Sequence, residues 1–240
     1  MAIYKITRKI KRIEIFSPDA PLKDWLPKQK DKPDILFNAS LYTSKYQPCG
    51  TIWNNGELIN DQGKGFGFGT TTGKDILFGF PYDKKWYDYI TGYYGIVQEG
   101  KAIDPAWTDK YVFNKKLTRI AFGQLSSGEF AVYVADGKTI KQFAKEGAAA
   151  GFKSLCNLDG GGSRALYWCG KWIYKSTRRP YNAVAIWLEP EETIKVNGTM
   201  NVRCVKKCNV YNASGVLEAG RFIAVGDVCQ LYTSIEKGTL

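Results

Sequence analysis

An acidic residue, three glycines, a hydroxyl and a guanidinium follow one another at Asp159-Gly160-Gly161-Gly162-Ser163-Arg164. Successive residues without side chains let backbone N–H groups converge on an anion. A carboxylate beside such a nest, with a hydroxyl and a permanent cation after it, can bind a charged group and exchange a proton next to it. A glycine run alone is as readily a plain turn; the flanking Asp, Ser and Arg argue for function. The 240 residues include no histidine. That excludes Ser-His-Asp and Cys-His nucleophile triads, H-E-x-x-H zinc proteases and His/Cys/Cys deaminases. Acid–base chemistry has to rest on Asp, Glu, Tyr, Lys or Cys.

The elements around this segment can be read from patterning. Ser154–Leu158 is a short buried strand that delivers Asp159 to its C-terminal lip. Thr139–Phe152 is the clearest helix, with Ile140, Phe143, Ala144 and Ala148–Ala150 on one face and Gly151 as its stop. Asp136-Gly137 reads as the turn before it. Arg119–Gln124 and Glu129–Ala135 form a hairpin over Ser126-Ser127-Gly128. Further strands are expected within Ile3–Phe16, at Asp34–Leu41, Ile76–Phe80, Tyr93–Gln98, Ala165–Cys169 and Ala183–Leu188. A hairpin is expected around Asn54-Asn55-Gly56. Four prolines between Pro18 and Pro33 make that stretch a connecting loop with at most a short helix. Glu189-Pro190-Glu191-Glu192 reads as a linker, followed by short strands and turns. The expected fold is α+β: β-rich mixed sheets with one main helix over residues 1–190, and a small β-barrel over 191–240.

The composition is that of a globular protein, 44 % hydrophobic and 24 % charged, with 7 Trp, 15 Tyr and 12 Phe suited to sheet packing. The net charge of +11 lies almost wholly ahead of the linker. No nucleic-acid motif accompanies it, so nucleic acid is not expected, and a phosphate-bearing or polymeric anion explains the charge equally well. The six cysteines form no Cys-x-x-Cys pair and suggest buried, reduced thiols. Asp and Asn near the glycines could hold Ca²⁺ through oxygen, but no ligand spacing is specific to it, and no cofactor is expected. Gly69-Thr-Thr-Thr-Gly73-Lys74 imitates a phosphate loop but is one residue short and lacks the hydroxyl after Lys. Gly65-Phe-Gly-Phe-Gly69 has the wrong spacing for a dinucleotide fingerprint. This stretch reads as a flap or strand. The Asn38, Asn197 and Asn212 sequons are coincidental without a signal peptide.

Asn157-Leu158-Asp159-Gly160-Gly161-Gly162-Ser163 resembles the signature of the phosphodiester glycosidase family, which includes the enzyme that removes N-acetylglucosamine from a sugar-1-phosphate diester. Asn38-Ala39-Ser40-Leu41-Tyr42, Arg119-Ile120-Ala121-Phe122-Gly123, the Asp136-Gly137 turn with its helix, and Arg179-Pro180-Tyr181-Asn182-Ala183 agree in order. The resemblance spans roughly residues 33–188. It implies a hydrolase that cleaves the glycosidic bond of a sugar-1-phosphate diester. Such a substrate has a good leaving group, so the site must stabilise positive charge on the ring and negative charge on the departing phosphate. The resemblance implies Asp159 as the key carboxylate, with Gly160, Gly161, Gly162, Ser163 and Arg164 at the phosphate. Arg119 and Arg179 are second candidates for that contact. Asn38 and Asn182 would bind sugar hydroxyls or orient Asp159. Asp136 is a turn residue or a second acid, and Tyr42 a packing residue or substrate contact.

Residues 197–232 resemble a bacterial SH3-like domain, a type of module that commonly binds cell wall, although the chain stops before the expected last strand. No apolar run is long enough to span a membrane. The start of the chain lacks a signal peptide, so synthesis in the cytoplasm is expected, with release by lysis or carriage in a phage virion. The expected partner is a phosphosugar or cell-wall glycopolymer, with no membrane partner; the sequence does not indicate an oligomeric state. The alternatives are a non-catalytic wall-binding or virion structural protein, or a cytoplasmic enzyme or sponge for a nucleotide-like diester.

Overall fold

The computed structural model describes residues 1–61, 65–91, 94–103 and 114–190. It also describes strand residues 193–194, 200–203, 208–211, 217–223, 228–231 and 235–236. The chain divides into two compact units, Met1–Glu189 and Pro190–Leu240.

The first unit is built on three sheets. Strands are numbered in chain order. One sheet runs β1 (Ala2–Lys5), β12 (Phe130–Lys138), β11 (Leu117–Leu125), β13 (Phe152–Asn157), β9 (Tyr94–Gln98), β10 (Lys101–Ala102). A second runs β15 (Lys171–Tyr174), β14 (Leu166–Trp168), β3 (Ile35–Asn38), β16 (Ala183–Leu188), β2 (Ile10–Phe16). A third runs β5 (Glu57–Asn60), β4 (Ile52–Asn54), β8 (Asp88–Ile90), β6 (Gly67–Thr70), β7 (Leu77–Gly79). The β4–β5 hairpin turns at Asn55-Gly56, where both φ angles are positive, as a two-residue I′ turn requires.

Alternation along the strands sets the layers. On β3, Ile35 and Phe37 face a core shared by all three sheets, while Leu36 is buried on the opposite face of its sheet. Phe37, Phe68 and Phe122, one ring from each sheet, meet at centroid distances of 5.3 and 4.8 Å around Phe122. Burying each ring contributes about 2–3 kcal/mol. On β13, Cys156 faces this core and Leu155 the opposite side. Helix α2 (Ile140–Ala149) lays Ile140, Phe143 and Ala144 against that opposite side. It starts on a reciprocal cap between Thr139 and Gln142. The short helix α1 (Leu22–Trp25) and the 3-10 turn after it bring Leu22 and Leu26 against Leu36, Ala185 and Trp187 on the second sheet.

The structure corrects several expectations. Every described strand pair is antiparallel, so the sheets are not mixed. Helix α2 does cross between two strands of one direction, but β11 lies between them and pairs antiparallel with both. Asp136 and Gly137 are not a turn before the helix. They lie within β12 where its register against β11 slips, and Gly137 takes φ +65°, the signature of a glycine bulge. The glycines of Gly67–Thr70 form a buried strand, not a flap: a Cβ at Gly67 or Gly69 would lie 2.1 Å from the Ile90 or Asp88 carbonyl oxygen.

The imitation phosphate loop is filled by its own anion. Asp75 accepts hydrogen bonds from the Thr71 and Thr72 amides at 3.0 and 2.9 Å and from the hydroxyls of Thr70, Thr71 and Thr72. Burial raises the Asp75 pKa, yet these donors outweigh it and hold the carboxyl well below the usual range.

In the second unit, β17 (Thr193–Ile194) pairs with β22 (Ile235–Glu236), β18 (Met200–Arg203) with β21 (Val228–Leu231), and β19 (Cys208–Tyr211) with β20 (Leu217–Ile223). These described strands form three two-stranded ladders and no closed barrel, in contrast to the expected barrel.

Candidate active site

At the end of β13 the chain passes from one sheet to the other. The Leu158 amide still donates to Ile120 O of β11 at 2.9 Å, but the next amide, Asp159, donates to Ala39 O just beyond β3 at 2.8 Å. Asp159 therefore sits where the two sheets converge. Asn38, the last residue of β3 and fully buried, spans the glycine turn. Its Nδ2 donates to Asp159 O at 2.6 Å and its Oδ1 accepts from the Ala165 amide at 2.8 Å. Both ends of its amide are thus used to fix the entry and exit of the turn.

Between those anchors, Gly161–Ser163 form one 3-10 turn. All three glycine carbonyls accept internal hydrogen bonds: Gly160 O from the Ser163 amide, Gly161 O from the Thr118 hydroxyl, and Gly162 O from the Ser176 hydroxyl. Glycine is needed at 160 for space, because a Cβ would lie 2.4 Å from Thr118 O. A Cβ at 162 would lie 3.1 Å from the Arg178 guanidinium, which rests on the turn.

Arg178 Nη1 lies 3.5 Å from Ser163 Oγ. The partly buried Asp159 carboxyl has its pKa pushed up to about 6 by burial, opposed by the Ser163 hydroxyl and by the charge of Arg178. Asp159, Ser163 and Arg178 thus form one electrostatic group over the glycines. A carboxyl poised near neutrality beside an exposed guanidinium can take or give a proton next to a bound anion.

The segment after β3 forms a rim. Tyr42 bridges Pro48, and the Cys49 amide donates to Leu41 O. Burial pushes the Cys49 thiol pKa up, and the charge of Asp159 adds to this. Tyr46 contacts Tyr42 and Tyr181, with centroids 5.2 and 5.5 Å away, and its hydroxyl donates to Pro180 O. Asn182 Oδ1 accepts from the Ser40 amide at 2.7 Å. Three buried polar atoms near these strand ends lack a hydrogen-bond partner among the described residues: Asn182 Nδ2, Ser40 Oγ and Asn157 Oδ1.

The structure therefore brings Asp159, Gly160, Gly161, Gly162, Ser163 and Asn38 together, with Asn182 and Tyr42 on the adjoining rim. Three arginines named from sequence are engaged elsewhere. Arg119 is buried, its guanidinium donating to Lys138 O and Lys115 O, so it braces the strand instead of facing solvent as a phosphate contact would. Arg164 turns to Asp136 at 2.6 Å and lies over the Tyr174 ring at 3.7 Å. Asp136 is correspondingly an ion-pair partner on the exposed surface. Arg179 donates to Pro18 O and lies over Tyr46.

Sequence reasoning missed Arg178. Arg178 lies in a bend between β15 and β16, and no local pattern distinguishes it from Arg179 as the cation that rests on the glycine turn. Among the described residues, no group of three His, Cys, Asp or Glu could hold a metal ion. No helix among them is long and apolar enough to cross a membrane.

The chain is similar in fold to the catalytic domain of zebrafish N-acetylglucosamine-1-phosphodiester alpha-N-acetylglucosaminidase, solved in a state auto-inhibited by its pro-peptide. The TM-score is 0.61 at 16 % identity, over 78 % of this chain and 76 % of that one. It is also similar to a hypothetical protein from Synechocystis, with a TM-score of 0.64 at 11 % identity, over 78 % of this chain and 59 % of that one. No curated protein sequence matches significantly. The family model for phosphodiester glycosidases matches residues 32–187, a span that runs from β3 through the glycine turn to β16, and the chain belongs to that family.

Proposed function

We propose that this chain hydrolyses the glycosidic bond of a sugar joined through C1 to a phosphodiester. The observation that carries the proposal is the group formed by Asp159, Ser163 and Arg178 over a side-chain-free turn. Water adds to C1 as the C1–O bond breaks, and the departing oxygen leaves with the phosphate. Arg178 offsets the negative charge growing there. Asp159, once ionised, opposes positive charge on the ring and accepts the proton of the attacking water, or attacks C1 itself. Asn38 and Ser163 hold Asp159 in place. Nothing in this sequence of steps needs an imidazole.

The zebrafish enzyme's substrate makes an N-acetylglucosaminyl phosphodiester the first compound to assay. Purified protein should release free sugar from it, with activity falling as pH drops through about 6, where Asp159 becomes protonated. Asp159→Asn should lower release by at least 10³-fold, and Arg178→Ala by 10- to 100-fold. Unchanged turnover in Asp159→Asn overturns the assignment.

The finer reading is a phosphosugar polymer of cell-wall type as substrate. It takes the short strands of residues 190–240 as an SH3-like wall-binding unit, and assigns the protein to a phage that releases it by lysis or carries it in the virion. Sedimentation with purified wall, with and without residues 190–240, tests the wall part of this reading. Binding that persists without any turnover would favour a non-catalytic wall protein.

A further inference from the structure

A groove of about 1140 Å³ runs along β2, the edge strand of the second sheet, between it and the third sheet. It is larger than the pockets that enclose one small ligand, and β2 gives it a length of about 20 Å. One end is lined by Tyr181 and Asn182. Asn182 is 2 % exposed, and its Nδ2 has no hydrogen-bond partner among the described residues. Two hydrogen bonds connect this end to the glycine turn: Asn182 Oδ1 holds the Ser40 amide, and the neighbouring Ala39 O holds the Asp159 amide.

The charges along the groove are unequal in availability. Glu14 and Asp31 are both paired with Arg12, at 3.3 and 2.9 Å. Asp88 is buried, with its oxygens accepting from the Ile15 and Asn55 amides. Burial raises its pKa. Lys9, Lys11 and Lys74 are exposed, and among the described residues no ion pair is formed by them. Among the described lining residues, Glu189 is the one carboxylate left to oppose these three ammonium groups. The ladder slips at Lys11, where β2 has one residue more than β16, which turns Lys11 out of the regular alternation.

We propose that this groove binds the units flanking the cleaved bond in a linear polymer of glycosyl phosphates. The three lysines would meet successive phosphates, and the unpartnered Asn182 amide would meet the sugar nearest the turn. This inference rests on the glycosyl-phosphodiester reading above and decides within it for a polymer over a small conjugate.

The test uses full-length Asp159→Asn protein and calorimetric titration with two probes, a poly(N-acetylglucosaminyl 1-phosphate) chain of about ten units and its single repeat capped as the methyl phosphodiester. The chain should bind at least ten-fold more tightly than the single repeat at equal repeat concentration, with an affinity that falls as salt rises. Reversing Lys9, Lys11 and Lys74 to Glu should abolish that difference. Reversing three exposed lysines outside the groove, Lys145, Lys153 and Lys171, should leave it in place and control for net charge. Melting curves verify that both triple variants are folded; if the groove variant is not, Lys→Gln at the same three positions replaces it. Equal affinity for the two probes, or equal loss in both triple variants, overturns the proposal. Failure of the underlying reading shows separately, as no sugar released by the unsubstituted protein from the single repeat.

Discussion

At the scale of single residues, Asp159 stands out because its environment opposes its own charge. The unfolded carboxyl titrates near 4 and the folded one near 6, so between these values folding binds a proton. Stability is therefore lost as pH rises through this window, the reverse of an ion-paired carboxylate. Below about pH 4 both states are protonated and the penalty vanishes; above 6 it is complete. Two pKa units correspond to about 3 kcal/mol, reduced to about 1 kcal/mol by partial exposure and by the Ser163 hydrogen bond that an amide would replace imperfectly. Asp159→Asn should accordingly melt on the order of 2–4 °C higher than the unsubstituted chain at pH 7.5 and at the same temperature at pH 4, read by calorimetry. A residue retained at a cost to stability is what a functional carboxyl predicts. A variant equally or less stable at pH 7.5 would show that the carboxyl is structural.

At the scale of elements, the glycine turn separates two uses of glycine. Gly160 has extended dihedrals that any residue adopts, but a Cβ there would strike the Thr118 carbonyl. Gly161 has open space and a φ of +58°, where a side chain costs about 1 kcal/mol of strain. Gly160→Ala should lower stability by about 2–3 kcal/mol and, by displacing Asp159 from Asn38, lower sugar release more than 100-fold. Gly161→Ala should cost about 1 kcal/mol and less than ten-fold in release. Urea midpoints and release rates on both variants check the contrast. These elements also show what the sequence made legible. The Asn54-Asn55-Gly56 hairpin, the Thr139-capped helix and the strand before Asp159 are governed by local rules of turn chemistry, capping and periodicity, and could be read directly. Gly67 and Gly69 could not, because the reason for each is a carbonyl on β8 about twenty residues away. The placement of Arg119, Arg164 and Arg179 was equally hidden, since carbonyls and rings distant in sequence capture their guanidinium groups. Arg178 became visible only once its neighbour was seen to turn toward Pro18 and Tyr46.

At the scale of the whole molecule, the described residues of the candidate site, of the groove and of the three apolar core clusters belong to Met1–Glu189. A unit of this size buries enough surface to fold by itself. The division also separates charge: the basic excess lies in the first unit, where Arg178 and the groove lysines would meet phosphate, while the second unit is nearly neutral. Residues 1–189 expressed alone should therefore fold cooperatively, melt within a few degrees of the full chain, and release sugar from a single glycosyl phosphodiester at a rate within about two-fold of it. Circular dichroism and the release assay measure these outcomes. The same 1–189 chain should lose sedimentation with wall if the second unit carries that binding. A first unit that unfolds when the second is removed would instead mean that the two share stability across the 189–190 boundary, and the site would then depend on residues outside the span that matches the family.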